Sequence, residues 1–282
     1  VLLREIGPNI EWIARAAPND ITVMRIQARY FGALADAHRE RFNMPAAIED
    51  QSRTVDAYAR LWAATSGDVG AGHEYSIAIV KLGDLEAARG DSDAADARFD
   101  EALRLDEQLA EQAPSDLGVL SNLFWSYLRL EGRTIPTDQG AAAMWRHSAQ
   151  RIADRMMSID QGAWRTLEAN AEAQGRLALS ESDPDAALDH SLESVELARR
   201  LVALDPNIRR HQAGLLFKCY TSICLALNSH RSDVARDVLS IAEQAAAELD
   251  QSPADRDTEA AFLAPLELAR RDLAHGEGDP SR

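Results

Sequence analysis

Four groups of side chains have the composition a reactive or ligand-binding site needs. In DSDAAD (91 to 96) the carboxylates of Asp91, Asp93 and Asp96 stand at intervals seen among the oxygen ligands of a calcium loop. The stretch lacks the loop's glycine at the sixth position and its bidentate acid at the twelfth, where Ala102 stands. Histidines 38, 73, 147, 190, 211, 230 and 275 never stand four apart, and no HExxH occurs, so a local zinc pattern is absent. No serine sits in a GxSxG stretch. Cys219 and Cys224 in CYTSIC are five apart, about 140° around a helix, too far for an unstrained disulfide, and read as small buried hydrophobes. Arg199, Arg200, Arg209, Arg210 and His211 form the one basic cluster, around Pro206. Their guanidinium forks suit carboxylate or phosphate, while Arg199 and Arg200 equally suit the C-terminal end of a helix dipole. No catalytic, metal-binding or cofactor-binding residue is assigned, and the expectation is a non-enzyme without cofactor.

The carboxylates cluster most densely in residues 82 to 116, where eleven acids meet three arginines. Over the whole chain of 282 residues the net charge is -16, and only Lys81 and Lys218 are lysines. Nucleic acids and anionic membranes both demand a basic surface, so neither is an expected partner. With 46% apolar residues the chain can cover a continuous core. No run approaches the roughly 18 apolar residues of a membrane span, and the first residues lack the order of a signal peptide. The start at Val1, in a stretch patterned like the middle of a helix, reads as a piece of a longer polypeptide with further domains. The compartment stays open between the cytoplasm, as default, and an excised extracytoplasmic domain.

What positions these residues is a repeat. Apolar residues recur at three and four with few β-branched runs, the pattern of an all-helical chain. Residues 34 to 68, 82 to 116 and 174 to 207 align without gaps, placing Ala35 and Gly175 on Gly83, Ala47 and Ala187 on Ala95, and Val55 and Val195 on Leu103. Eight residues after the small residue stand Asn43, Asp91 and Asp183, side chains suited to cap a helix N-terminus, with Pro184 suited to the first helical position. Each copy is therefore expected to be a helical hairpin. The hairpins fall at about 21–68, 69–116, 117–162, 163–207 and 208–253. Residues 1 to 18 read as the second helix of an earlier hairpin, 256–274 as a closing helix, and 276–282 as a polar tail, giving one domain over 1–275.

Leu82, Gly83, Ala95, Phe99 and Ala102 carry small residues and an aromatic at offsets that resemble the tetratricopeptide repeat, a helix-turn-helix unit. The unit here is longer, because the second helix runs past Glu107, in the family's proline slot, to Pro114. Gln51 and Ser191 replace Phe99 in the other copies. The long unit and the wording KLGDLEAARGD look like the repeat regions of bacterial serine/threonine kinases and signalling proteins, although no kinase motif is present. The resemblance implies a right-handed α-solenoid of about five hairpins, with a concave groove lined by first helices. In that register the groove takes Arg29, Gly32 and Asp36 from the first copy and Ile77, Val80 and Asp84 from the second. Leu120, Leu123 and Tyr127 follow from the third, and Ala169, Glu172 and Arg176 from the fourth. Leu123 and Tyr127 are expected to be partly exposed anchors.

The implied work is binding a protein or peptide segment in that groove, as scaffold or sensor within a larger bacterial signalling protein. A structural spacer or oligomerisation arm is the alternative, favoured by any unmatched apolar face at an end. An enzyme on a helical solenoid would need inward-facing ionisable residues, where the projected groove centre is apolar.

Overall fold

The computed structural model describes residues 2–250 together with 267, 268, 270, 271 and 273. Among these the chain is all-α, with eleven helices: α1 (Leu2–Ala16), α2 (Ile21–Glu40), α3 (Met44–Ala64), α4 (Val69–Arg89), α5 (Ser92–Gln112), α6 (Leu117–Thr134), α7 (Gln139–Ile159), α8 (Trp164–Ser180), α9 (Pro184–Leu204), α10 (Arg209–Asn228) and α11 (Ser232–Asp250). They form two compact units, Val1–Ile152 and Ala153–Arg282, with the division inside α7. Within the units successive helices pack as hairpins, α2 on α3, α4 on α5, α8 on α9 and α10 on α11.

The helices are set by their ends. Asp20, Asp68 and Asp116 cap α2, α4 and α6, each side chain accepting from backbone amides of the first turn. These first helices begin 48 residues apart, at Ile21, Val69 and Leu117. Asp91 caps α5 by accepting from Ala94 N, and Asp183 caps α9 by accepting from Asp185 N with Pro184 behind it. Asn43 differs from expectation: it occupies the cap position of α3 but its side chain makes no capping bond. The turn before it closes the C-terminus of α2, with Phe42 N–H donating to Arg39 O and Asn43 N–H to His38 O. The same pair of bonds closes the turns at Gly90 and His230, and all three residues are left-handed, with φ of 57° at Phe42, 91° at Gly90 and 55° at His230.

The core follows the repeat. In the first unit Phe31, Leu61, Ile79, Leu82, Phe99, Leu109 and Phe124 are buried between successive helices, each such side chain contributing about 1.5–3 kcal/mol on leaving water. Gly83 permits a close approach of the two helices of this hairpin, since a Cβ there would stand 2.6 Å from Phe99 Cε1. Where Phe99 is replaced, polar groups are buried but paired: Gln51 Nε2 donates to Ala78 O at 2.9 Å, and Ser191 and Ser222 share a hydrogen bond of 2.6 Å. Asp106 on α5 accepts from Ser76 of α4 at 2.5 Å and from Ser126 of α6 at 2.7 Å, tying three helices together. Burial pushes its carboxyl up to about 6, against the pull of the two hydroxyls.

In the second unit Leu167, Leu188, Leu201, Leu216 and Ile223 share one core with Cys219, Val238 and Leu273. Cys219 is buried and Cys224 half-buried. Of the expected closing helix 256–274, Glu267, Leu268, Arg270, Arg271 and Leu273 are helical, and Arg270 pairs with Glu243 at 2.9 Å. The rest of that segment and the tail 276–282 lie outside the described residues. No described helix is long and apolar enough to cross a membrane.

Candidate partner-binding face

On α2, α4 and α6 the 48-residue spacing brings chemically matched side chains side by side, and they join in two repeating rungs. One rung links Arg25 to Glu74 at 3.0 Å and, one repeat later, His73 to Asn122 at 3.0 Å, each across 49 residues. The other links Asp36 to Lys81 and Asp84 to Arg129, both at 3.3 Å and both across 45 residues. Arg29 adds a second contact to Glu74, at 3.1 Å. Between the rungs on α4, one turn from each, stands Ile77, 38% exposed. The same slot holds Arg29 on α2, exposed, and Trp125 on α6, half-buried. Arg29, Ile77 and Trp125 thus make one row across three consecutive first helices, framed by charge.

Of the residues assigned to the groove, Arg29, Ile77 and Asp84 are exposed and Asp36, Val80 and Gly32 half-buried, all on this face. Leu120, Leu123 and Tyr127 are not. Leu120 is fully buried, Leu123 is 4% exposed and Tyr127 9%. The Tyr127 hydroxyl donates to Glu107 at 2.9 Å and its ring stacks on Trp145 with centroids 6.0 Å apart, so it is a packing residue and its expected partial exposure is corrected. The spacing that carries Arg29 to Ile77 carries Ile77 to Trp125, and the cap aspartates Asp20, Asp68 and Asp116 display that spacing in the sequence. Counting from the caps would have found Trp125.

In the second unit Ala169 is fully buried, again a core residue where an exposed one was expected. Glu172 and Arg176 are half-buried and joined at 2.9 Å, with Lys218 of α10 on the other Glu172 oxygen at 3.2 Å. Burial alone would push the Glu172 carboxyl up, but Lys218 and Arg176 outweigh it and hold the group below the ordinary glutamate range.

The DSDAAD acids are each accounted for by local structure: Asp91 caps α5, Asp93 lies in its first turn, and Asp96 pairs with Arg133. Among the described residues no three His, Cys, Asp or Glu side chains are grouped to hold a metal ion.

No protein-family model and no curated protein matches this sequence. Solved structures do. A thermophilic TPR protein of Thermus thermophilus is similar over 85% of this chain and 98% of that one, at 15% identity and a TM-score of 0.50. The fold is tetratricopeptide-like. Two structures of Nro1 from S. pombe, a nuclear import adaptor and hypoxic regulator of sterol synthesis, are similar over 93% and 100% of this chain. They cover 97% and 96% of their own chains, at 13% and 12% identity and TM-scores of 0.53 and 0.54.

Proposed function

We propose that this chain is a non-catalytic interaction scaffold that holds a segment of a partner protein along the α2, α4 and α6 face of its first unit. The observation that carries this is the row Arg29, Ile77 and Trp125, exposed or half-exposed at one slot of three successive repeats and framed by paired charges. Successive first helices stand about one helix diameter apart, roughly 10–12 Å, and an extended chain rises about 3.3 Å per residue, so about every third residue of a bound strand meets the next slot. The fitting segment presents an acid to Arg29, an apolar residue to Ile77 and an aromatic or large apolar residue to Trp125. Glu172, Arg176 and Lys218 give the second unit its own charged face for a flanking part of the partner. An adaptor role has a counterpart among structures of the same fold, where Nro1 is a nuclear import adaptor. The net charge of -16 argues against nucleic acid as partner. Placement within a larger bacterial signalling protein rests on the KLGDLEAARGD resemblance alone.

Selection of peptides from a random display library on the immobilised chain tests this reading. It expects binders enriched for an acid followed at three-residue steps by apolar and aromatic residues. Enrichment of unrelated motifs, or of none, would count against it.

A second reading, an assembly arm, has one observation in its favour. On α1 Trp12 is 66% exposed, Ile13 41% and Ile6 37%, an apolar surface that a second chain would cover. Sedimentation of the wild type and Trp12→Ser separates the two, since only an arm changes its mass with that substitution.

A further inference from the structure

A different feature sits in the second unit. Where α9 gives way to α10, Trp164, Leu201, Leu204, Ile208, Arg210 and His211 line a cleft of about 440 Å³, within the range of about 300–1,000 Å³ typical of small-molecule sites. Its walls are mainly apolar, with Asp205, Arg210 and His211 as the ionisable part of the lining, and Trp164 and Leu204 stay 40% and 54% exposed beside it. His211 is only 5% exposed, and neither of its shielded ring nitrogens has a hydrogen-bond partner. A neutral imidazole offers one donor and one acceptor, and leaving its buried N–H unmet is costly unless an acceptor entering the cleft meets it.

The cleft also ends on the N-terminus of α10, a helix of 20 residues, where the cap residue Ile208 supplies no side-chain bond. The His211 and Gln212 amides already donate to Ile208 O, so what this terminus offers an anion is the positive end of the helix dipole. The chain places the opposite, with Arg209, Arg210 and His211 in the first turn. Basic residues at a helix N-terminus work against the dipole, and an anion bound among them reverses that penalty. The nearby carboxylates are engaged: Glu168 accepts from Arg210 at 3.3 Å, and Asp205 accepts from the backbone and side chain of Asn207.

We propose that this cleft binds a small amphipathic carboxylate, its acid group at the α10 N-terminus within reach of His211 and Arg210, and its hydrocarbon body along Leu201, Leu204 and Trp164. The apolar walls exclude inorganic phosphate as a full ligand. The unmet histidine excludes a plain hydrocarbon as its equal, and the basic first turn places an uncharged alcohol below a carboxylate. The site is independent of the partner face, and the two stand or fall separately.

Titration calorimetry of the whole chain with octanoate, 1-octanol and inorganic phosphate tests the assignment. Octanoate is expected to bind one to one, 1-octanol at least about tenfold more weakly, and phosphate not measurably. His211→Phe keeps the volume and removes both nitrogens. It should weaken octanoate by about tenfold or more and leave 1-octanol unchanged, with an undiminished melting temperature. In the wild type, the His211 ring resonances should move with octanoate and not with 1-octanol, a readout that holds even where the variant fails to fold. Equal binding of acid and alcohol, or silent His211 resonances at octanoate saturation, would overturn the proposal.

Discussion

Asp84 accepts from Arg129 at 3.3 Å across 45 residues of chain, and one repeat earlier Asp36 accepts from Lys81 at the same distance and separation. Exposed pairs of this kind are worth about 0–1 kcal/mol each, so the cores between helices, not these rungs, stabilise the stack. What the rungs do is hold the first helices in phase, which brings Arg29, Ile77 and Trp125 into one row.

Because Tyr127 is packed, its truncation should act on the fold. Tyr127→Ala is expected to cost about 3 kcal/mol or more, and Tyr127→Phe, which loses only the bond to exposed Glu107, about 1 kcal/mol or less. Urea unfolding of both variants checks this. Two small and equal losses would mean the ring is not part of the core.

Gly83 and Gly175 occupy one repeat slot with different surroundings. A Cβ at Gly83 would meet Phe99 Cε1 at 2.6 Å, whereas one at Gly175 first meets Ser194 Oγ at 3.3 Å. Gly83→Ala should therefore destabilise by about 1–3 kcal/mol through overpacking. Gly175→Ala should be neutral or gain up to about 1 kcal/mol from the lost flexibility of a helical glycine. Thermal melts that rank the two the other way would contradict the packing described.

Phe42 is 93% exposed and holds φ of 57° where the matching repeat position is Gly90. It bears the steric penalty of the left-handed region and gains no packing in return. Phe42→Gly should stabilise the chain by up to about 1 kcal/mol, read as a raised urea midpoint at constant m-value.

How much of this was legible depended on how local its cause is. Hairpin architecture follows from caps, turns and three-to-four periodicity, all written in short stretches such as Asp91 before α5 and Pro184 behind Asp183. The capping role of Asp91 within DSDAAD followed from the same repeat. The face was legible on α2 and α4, but not on α6, where aromatic and aliphatic residues crowd LFWSYL and hydrophobicity alone cannot tell an inward Tyr127 from an outward Trp125. The cleft at His211 was legible only as a basic cluster, since its cavity and the unmet imidazole arise from three helices meeting.

Asp106 should make stability depend on pH in an unusual direction. Its carboxyl takes up a proton near pH 6 in the folded chain, against an ordinary value of 3.8. Between those values the folded state binds more protons, so this group's contribution is greatest below about pH 4 and falls as pH rises through 6, by at most about 3 kcal/mol. Asp106→Asn keeps the contacts of Ser76 and Ser126 without the charge. The difference in unfolding free energy between variant and wild type should therefore grow in the variant's favour from pH 4 to pH 7, and a flat difference would sink the idea.

The central claim, that the Arg29, Ile77 and Trp125 row is where a partner docks, is tested most directly by Ile77→Asp. Ile77 already faces solvent, so the variant should fold with a melting temperature within a few degrees of wild type. Affinity for library-selected peptides, measured by fluorescence anisotropy, should fall by about thirtyfold or more, the loss of roughly 2 kcal/mol expected at an interface anchor. A folded Ile77→Asp chain that binds those peptides as tightly as wild type would place the docking surface elsewhere.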